Sequence, residues 1–341
     1  MLLQSAKKSG ALGLSRAMTA RGLRILCYHG ISLLDEHEFR GQLFMRPELF
    51  RRRMTLLAAR GFRVISLAAA AEALQQGTLP DRSVVLTFDD GWYGTYRHAL
   101  PVLRELGMPA TIYVTTYYAA RGTAVFEVAV SYLLWRTRLA QIDLSTLGGA
   151  LTGRYDLRNQ SDRNRVAHAI STHGDANLSA KERQDLLRHL AVLLHIDPDL
   201  LESGRLCRLM TREELADAAS AGFDIQLHTH RHLLSTDDRA GVIREITDNR
   251  IALDGIGRRP LTHLAYPGGV WHPRILPWLG ELGVETATTT EPGLNYPHTG
   301  RLNLGRFLDG ENIAPIEFEA ELDGALDILR RLRSGWRLPF A

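Results

Sequence analysis

From Leu23 onward the chain repeats one rhythm: a short apolar run, a longer segment of helical period, then another short apolar run. The runs fall at 24–28, 62–66, 83–88, 110–114, 223–228, 262–266 and 284–288. They are rich in Val, Ile, Leu, Phe and Thr, as expected of strands buried on both faces. In the segments between them, apolar residues recur three and four apart. Over 47–60, Phe50, Met54, Leu57 and Ala58 share one face, and Gly61 stops the helix. Segment 98–106 stops before Gly107, and Thr211 opens a helix with Glu214 three residues on, the pairing of a capping box. Ile243, Ile246 and Ala252 mark a further helix, and Phe318, Leu322, Leu326 and Leu329 have the spacing of one last helix. Alternating strands and helices give a parallel sheet clothed in helices. Seven runs predict an α/β barrel rather than an open sheet. In such barrels the reactive groups sit past the C-terminal ends of the strands.

One stretch breaks the rhythm. Residues 120–205 show helical patterns at 128–139 and 180–195 but no strand alternation, and they are expected to be a helical insertion in one strand-to-helix connection. The net charge of +3 gives no reason to expect a nucleic-acid partner, and no glycine-rich phosphate loop occurs. Cys27 and Cys207 lack zinc-pair spacing and make no disulfide framework, so both are expected as core residues in a reducing compartment. No apolar run reaches the roughly 18 residues of a spanning helix. The stretch 10–20 is interrupted by Ser15 and Arg16 and makes a poor secretory leader, which predicts a cytoplasmic protein. Both ends are basic. The segment 1–22 carries Lys7, Lys8, Arg16 and Arg21, and the final part, 311–341, carries Arg330, Arg331, Arg333 and Arg337 with Trp336 and Phe340. Such ends are either solvated or lie on an anionic inner membrane face as a peripheral contact.

Four groups of residues carry chemistry. Thr87-Phe88-Asp89-Asp90-Gly91 follows the run Val84-Val85-Leu86, so two neighbouring carboxylates emerge at a strand end. A turn at Gly91 would let both reach one cavity, and a cation on one would leave the other ionised as a base. His228-Thr229-His230-Arg231-His232 follows the run 223–227. A spacing of four lets His228 and His232 reach one metal, and one carboxylate beside them leaves positions open for water and substrate. Ala265-Tyr266-Pro267-Gly268-Gly269 is a turn able to aim a backbone N–H at a developing oxyanion. Cys27-Tyr28-His29-Gly30 ends the first run, which places His29 on the same rim. Read singly, these are surface turns as readily as sites; their shared position after strands favours one pocket.

The motifs at 87–91 and 228–232 resemble the first two motifs of the polysaccharide deacetylase family, the family-four carbohydrate esterases with a chitooligosaccharide deacetylase-like domain. There they read T-F-D-D-G and H-(S/T)-x-x-H, and 265–269 takes the place of the third motif. The resemblance covers roughly 23–310, with 1–22 as a basic leading segment and 311–341 as a terminal helix and tail. It implies a distorted (β/α)7 barrel and one divalent metal, zinc with cobalt or nickel as alternatives. By position, Asp89 resembles the catalytic base, and Asp90, His228 and His232 resemble the metal ligands. His230 falls on a variable position. Tyr266, Pro267 and Gly268 fall where substrate and oxyanion are met.

Three departures stand out. Ala265 stands where the third motif has a base-orienting Arg, so Arg306 is expected to supply it from another strand. Leu233 replaces a common Pro, and neither His272 nor His298 has the setting of the late catalytic His. The permuted poly-β-1,6-N-acetylglucosamine deacetylase branch carries its acid His in a Tyr-His-Gly setting on the first strand, and Tyr28-His29-Gly30 is similar to it. The implied activity is metal-dependent removal of the N-acetyl group from a sugar in a polysaccharide, an oligosaccharide or a glycolipid precursor. The alternatives are an amidohydrolase on a non-sugar amide and a carbohydrate-binding protein on a degenerate scaffold.

Overall fold

The computed structural model describes residues 2–148, 151–257 and 259–333. Eight parallel strands form its main sheet: β1 (Arg24–Tyr28), β2 (Arg63–Val64), β3 (Ser83–Phe88), β4 (Thr111–Val114), β5 (Asp224–Leu227), β6 (His263–Ala265), β7 (Thr286–Thr288) and β8 (Phe307–Leu308). Their order is β7-β6-β5-β4-β3-β1-β8. β2 pairs with the start of β3 and β4 with its end, while β1 pairs along nearly its whole length. The sheet curls until one segment touches both ends: Leu304 bridges to Thr288 of β7, and Phe307 pairs with Leu26 of β1. The expected α/β barrel is therefore the observed architecture.

Strand periodicity decides what lies inside. Ile25 and Val85 face the barrel interior with Leu23, Tyr113, Ala265 and Leu304. Leu26, Tyr28, Leu86, Phe88 and Ile112 face outward against Phe50, Met54 and Leu57 of the helix Pro47–Ala59. Each such Leu or Phe contributes about 1.5–3 kcal/mol on burial. The capping box at Thr211 and Glu214 is present in both directions.

The sequence expectation differs in four places. β2 has two residues, because β4 takes over its edge of β3. β8, also two residues long, gives no apolar run to read. The last helix is two, Pro315–Leu322 and Ala325–Arg333, broken at Gly324 (φ +72°), where a Cβ would sit 2.2 Å from Thr19 Oγ1. The helix expected over 98–106 is Leu100–Glu105, preceded by a wide turn at Thr95–Ala99.

The insertion is largely helical, with Phe126–Arg136, Gln160–Asn177 and Ala180–Leu193. It also holds an antiparallel pair, Gln141–Asp143 with Arg154–Asp156. Helix 160–177 escaped the sequence reading because it buries only Val166, Ile170, Ser171 and Gly174. The insertion builds a core of its own, and Phe44 and Trp92 from the barrel rim belong to it. Cys27 and Cys207 are buried and free.

The basic N-terminal segment is not a solvated arm. Its helices Leu2–Lys8 and Ala11–Met18 pack beside the last two helices, with Lys7 on Glu319 (2.6 Å) and Arg16 on Asp323 (3.7 Å). Of the basic tail, Arg330 and Arg331 pair with Glu321 and Asp327, while Trp336, Arg337 and Phe340 lie outside the described residues. Among the described residues no helix is long and apolar enough to cross a membrane.

Candidate active site

The alternation that turns Val85 inward also turns Thr87 and Asp89 inward, and Asp89 N–H extends the ladder by donating to Tyr28 O (2.9 Å). An extended chain would then point Asp90 outward. The backbone instead turns left-handed at Asp90 (φ 69°) and Gly91 (φ 85°), which returns Asp90 to the same cavity. Such a conformation costs a non-glycine residue about 1–2 kcal/mol. Thr229 (φ 63°) and His232 (φ 58°) share it. Strain of this kind concentrates where a site over-determines the backbone.

His228 follows β5 and is buried. Its backbone N–H donates to Asn249 Oδ1 (3.0 Å), and its Nδ1 faces Ala265 O at 2.9 Å. A carbonyl can only accept, so Nδ1 carries the proton and Nε2 presents its lone pair to the cavity. His228 Nε2 lies 3.4 Å from Asp90 Oδ1 and His232 Nε2 lies 3.5 Å from the same oxygen. The two imidazoles meet edge to face with centroids 4.9 Å apart. Ligands about 2.0–2.1 Å from a tetrahedral zinc ion stand about 3.3–3.4 Å from one another. The Asp90, His228 and His232 ligand atoms can therefore hold such an ion with little movement.

Charge follows the same geometry. Burial raises the Asp90 carboxyl, but the adjoining His228 and His232 imidazoles outweigh it and hold it below the carboxylate range. His228 is opposed by burial and still lifted by Asp90, whereas burial and the nearby His228 push His232 down.

Asp89 has a different partner. Arg306 reaches in from the closing segment, fully buried, and its Nη1 and Nη2 donate to Asp89 Oδ1 (2.7 Å) and Oδ2 (2.8 Å). Arg306 Nε donates to Thr289 O (2.8 Å), so the fork has one orientation. Burial would raise Asp89, and Arg306 brings it down to about 2. Ala265 lies in the interior cluster with Tyr113, over whose ring the Arg306 guanidinium sits. Arg306 is thus placed to orient Asp89 where the third motif itself offers only a methyl group. His29, half-buried, has a ring nitrogen within 4.8 Å of both an Asp89 oxygen and Cys27 Sγ. That trio does not make a second ion site, because Arg306 engages both Asp89 oxygens and burial keeps the Cys27 thiol protonated.

The turn at 266–269 needs a correction. Tyr266 N–H donates to Thr288 O (3.1 Å) and its hydroxyl to Leu302 O (2.7 Å), so neither is available to a substrate. Pro267 has no N–H, and Gly269 N–H donates to Tyr266 O. Gly268 is the remaining donor of the turn. His230 turns away from the centre, its Nδ1 2.8 Å from Thr116 Oγ1. His272 caps Arg274 and His298 stacks on Tyr296.

Three contributors escaped the sequence reading. Trp92 Nε1–H donates to Asp90 Oδ2 (2.7 Å), leaving Oδ1 to the histidines, and the indole packs on Phe44 in the insertion core. Asn249 is fully buried and also donates to Val114 O and Thr116 Oγ1, each at 3.0 Å. Its signal was a lone amide on the stripe formed by Val242, Ile246 and Leu253. Cys27 Sγ lies 3.5 Å from Asp89 Oδ2, which its reading as a core residue did not include.

The family model for polysaccharide deacetylase matches residues 76–139 and 159–287, more than half of the chain. The chain belongs to the polysaccharide deacetylase family. The poly-beta-1,6-N-acetyl-D-glucosamine N-deacetylase of Escherichia coli (strain K12) is 34% identical over 92 residues, which are 26% of this chain and 13% of that protein. This chain therefore matches only a small part of that relative. Among solved structures, the Streptococcus pyogenes deacetylase PplD, in complex with acetate, superposes with a TM-score of 0.57 at 19% identity, over 88% of this chain and 98% of that one. IcaB from Ammonifex degensii gives 0.55 at 17% identity, over 89% and 97%. At these identities the likeness is one of fold, and it agrees with the barrel described above.

Proposed function

We propose that this polysaccharide deacetylase family member hydrolyses the N-acetyl group of an N-acetylated sugar, using one divalent metal held by Asp90, His228 and His232. The reading rests on the spacing of those three ligand sets, 3.4 and 3.5 Å, beside a carboxylate kept ionised by a buried arginine. Zinc fits two imidazoles and one carboxylate, with cobalt and nickel as alternatives. When bound, such an ion acidifies water and polarises a carbonyl. The chain's own groups supply the rest. Asp89 takes the proton of the attacking water. His29 donates a proton to the departing nitrogen, and Gly268 N–H donates to the developing oxyanion. The water oxygen first joins the carbonyl carbon to give the oxyanion, and its collapse breaks the C–N bond as the nitrogen takes its proton, giving acetate and a free amino sugar. The substrate is a polymer, an oligosaccharide or a glycolipid head group. Peripheral contact with a membrane through the basic helices belongs to the same reading.

The test is acetate release from a panel of N-acetylated oligosaccharides and glycolipid head groups, metal-free and with zinc, cobalt or nickel. Release that needs metal is expected, and Asp89→Asn is expected to lose on the order of 10²-fold or more in rate while still binding it. Equal release with and without metal would remove the metal from the reaction. Full activity in Asp89→Asn would remove the base.

A further inference from the structure

The helix Ala11–Met18 is built inside out. Leu12 is its only buried residue, and Ser15 and Arg16 are half-buried. Its outer face is Ala11, Leu14, Ala17 and Met18, with Leu14 64% and Met18 36% exposed. Beside it packs the helix Ala325–Arg333, which exposes Leu329 (43%) and Leu332 (59%). Four of the nine large hydrophobic residues that the described structure leaves exposed thus stand on two short neighbouring helices. Isolated exposed leucines need no explanation, but a whole helix face does.

The charge around this face is mostly positive, with Glu317 and Asp81 as the exposed acids on neighbouring segments. Residues 1–34 contain no acid. On the adjoining helices Glu319 pairs with Lys7 and Arg60, Asp323 with Arg16 and Arg60, Glu321 with Arg330 and Asp327 with Arg331. Those four acids are therefore neutralised by internal partners. Lys8, Arg21 and Arg333 are exposed and form no ion pair among the described residues. An apolar stripe bordered by unpaired cations suits the boundary between lipid head groups and acyl chains: the stripe enters and the cations meet anionic head groups.

The position of the face has a consequence. Arg24, the first residue of β1, bonds through its guanidinium to the carbonyls of Thr19, Gly22 and Leu322, and Arg82 N–H, just before β3, donates to Ala20 O. Both terminal helix pairs therefore meet the N-terminal ends of the strands. Asp89, Asp90, His228 and His29 all follow C-terminal ends.

We infer that the face formed by Leu14, Met18, Leu329 and Leu332, with Lys8 and Arg21, docks on an anionic lipid bilayer, so that the catalytic mouth opens away from it. This deepens the peripheral-contact reading above and rests on it. It implies a substrate reached from the aqueous side, a glycan strand rather than an amide lying in the head-group layer.

The test is co-sedimentation of the full chain with vesicles of phosphatidylcholine alone or mixed with phosphatidylglycerol. Wild type is expected to bind the mixed vesicles, with up to about 10²-fold preference over the neutral ones if each of three cations contributes as surface lysines and arginines do. The preference should shrink with added salt. Leu14→Glu/Met18→Glu should lose binding to both vesicles, and Lys8→Glu/Arg21→Glu should lose the preference. Both variants should keep the wild-type melting temperature, and acetate release from a soluble oligosaccharide should be unchanged. That second assay separates the two ideas: loss of hydrolysis by wild type would sink the enzyme reading and leave the vesicle result standing. No sedimentation of wild type, unchanged sedimentation of Leu14→Glu/Met18→Glu, or self-association of the chain without vesicle binding would each overturn the lipid assignment.

Discussion

Replacing Arg306 with Met should cost several kcal/mol of stability, on the order of 3–5 or more. Arg306 and Asp89 are both buried, and the guanidinium spans both carboxylate oxygens at 2.7 and 2.8 Å. Removing one member of such a pair leaves the other charged and unsolvated, which costs about 3–5 kcal/mol. The Met variant also leaves Thr289 O without its donor from Nε, a further ~1–3 kcal/mol. Against a total stability of roughly 5–15 kcal/mol, the variant should stand near its unfolding threshold. The pair's own share can be isolated. Asp89→Asn/Arg306→Met removes both charges and keeps only the orphaned carbonyl, so the double variant should recover at least about 2 kcal/mol over Arg306→Met. Arg306→Lys should fall between, because an ammonium cannot fork across two oxygens. The measurement is urea unfolding of the four proteins in chelator, with m-values compared to confirm a common unfolding reaction. A loss below about 1 kcal/mol for Arg306→Met, or a double variant no more stable than that single one, would show that the fork does not carry the charge of Asp89.

Three other changes probe the surroundings. Burial pushes the Asp309 carboxyl up to about 7 despite Arg53, 3.3 Å away, so folded protein keeps a proton that the unfolded chain releases near pH 4. Stability from this group is complete below about pH 4 and is lost as pH rises to about 7, by up to about 4 kcal/mol; Asp309→Asn should flatten that slope in urea midpoints taken at several pH values, and an unchanged slope would place it elsewhere. Trp92→Phe keeps the packing against Phe44 but removes the donor to Asp90 Oδ2, and it should weaken metal binding about 10–100-fold in chelator competition while the fold persists. At Gly94 a Cβ would lie 1.7 Å from Ile31 O, so Gly94→Ala must move backbone and should lower stability by more than about 2 kcal/mol in the same unfolding assay.

The sequence by itself determined the sheet and the rim. The run 83–88 is too apolar for a one-sided strand and that at 223–227 alternates apolar with polar residues, and Asp89, Asp90, His228 and His232 come just after their ends. Their convergence was legible because strand period and strand end are local properties. The helix break at Gly324 was less legible: Phe318, Leu322, Leu326 and Leu329 keep one period across it, and only the approach of Thr19 demands a residue without a Cβ. Most partners distant in sequence were decided by tertiary structure, Arg306 being the one to which the departure at Ala265 already pointed. Arg306 acquires its bond to Asp89 when the segment 304–308 closes the barrel, 217 residues away along the chain. Trp92 becomes the support of Asp90 only once the left-handed turn at Asp90 brings the carboxylate back beneath the indole. Tyr266, expected at the substrate, is instead consumed by Thr288 and Leu302. A pattern can say that a group will be buried at a strand end; which buried donor or acceptor satisfies it depends on closure of the whole ring, because every unpaired polar group inside must find a partner there.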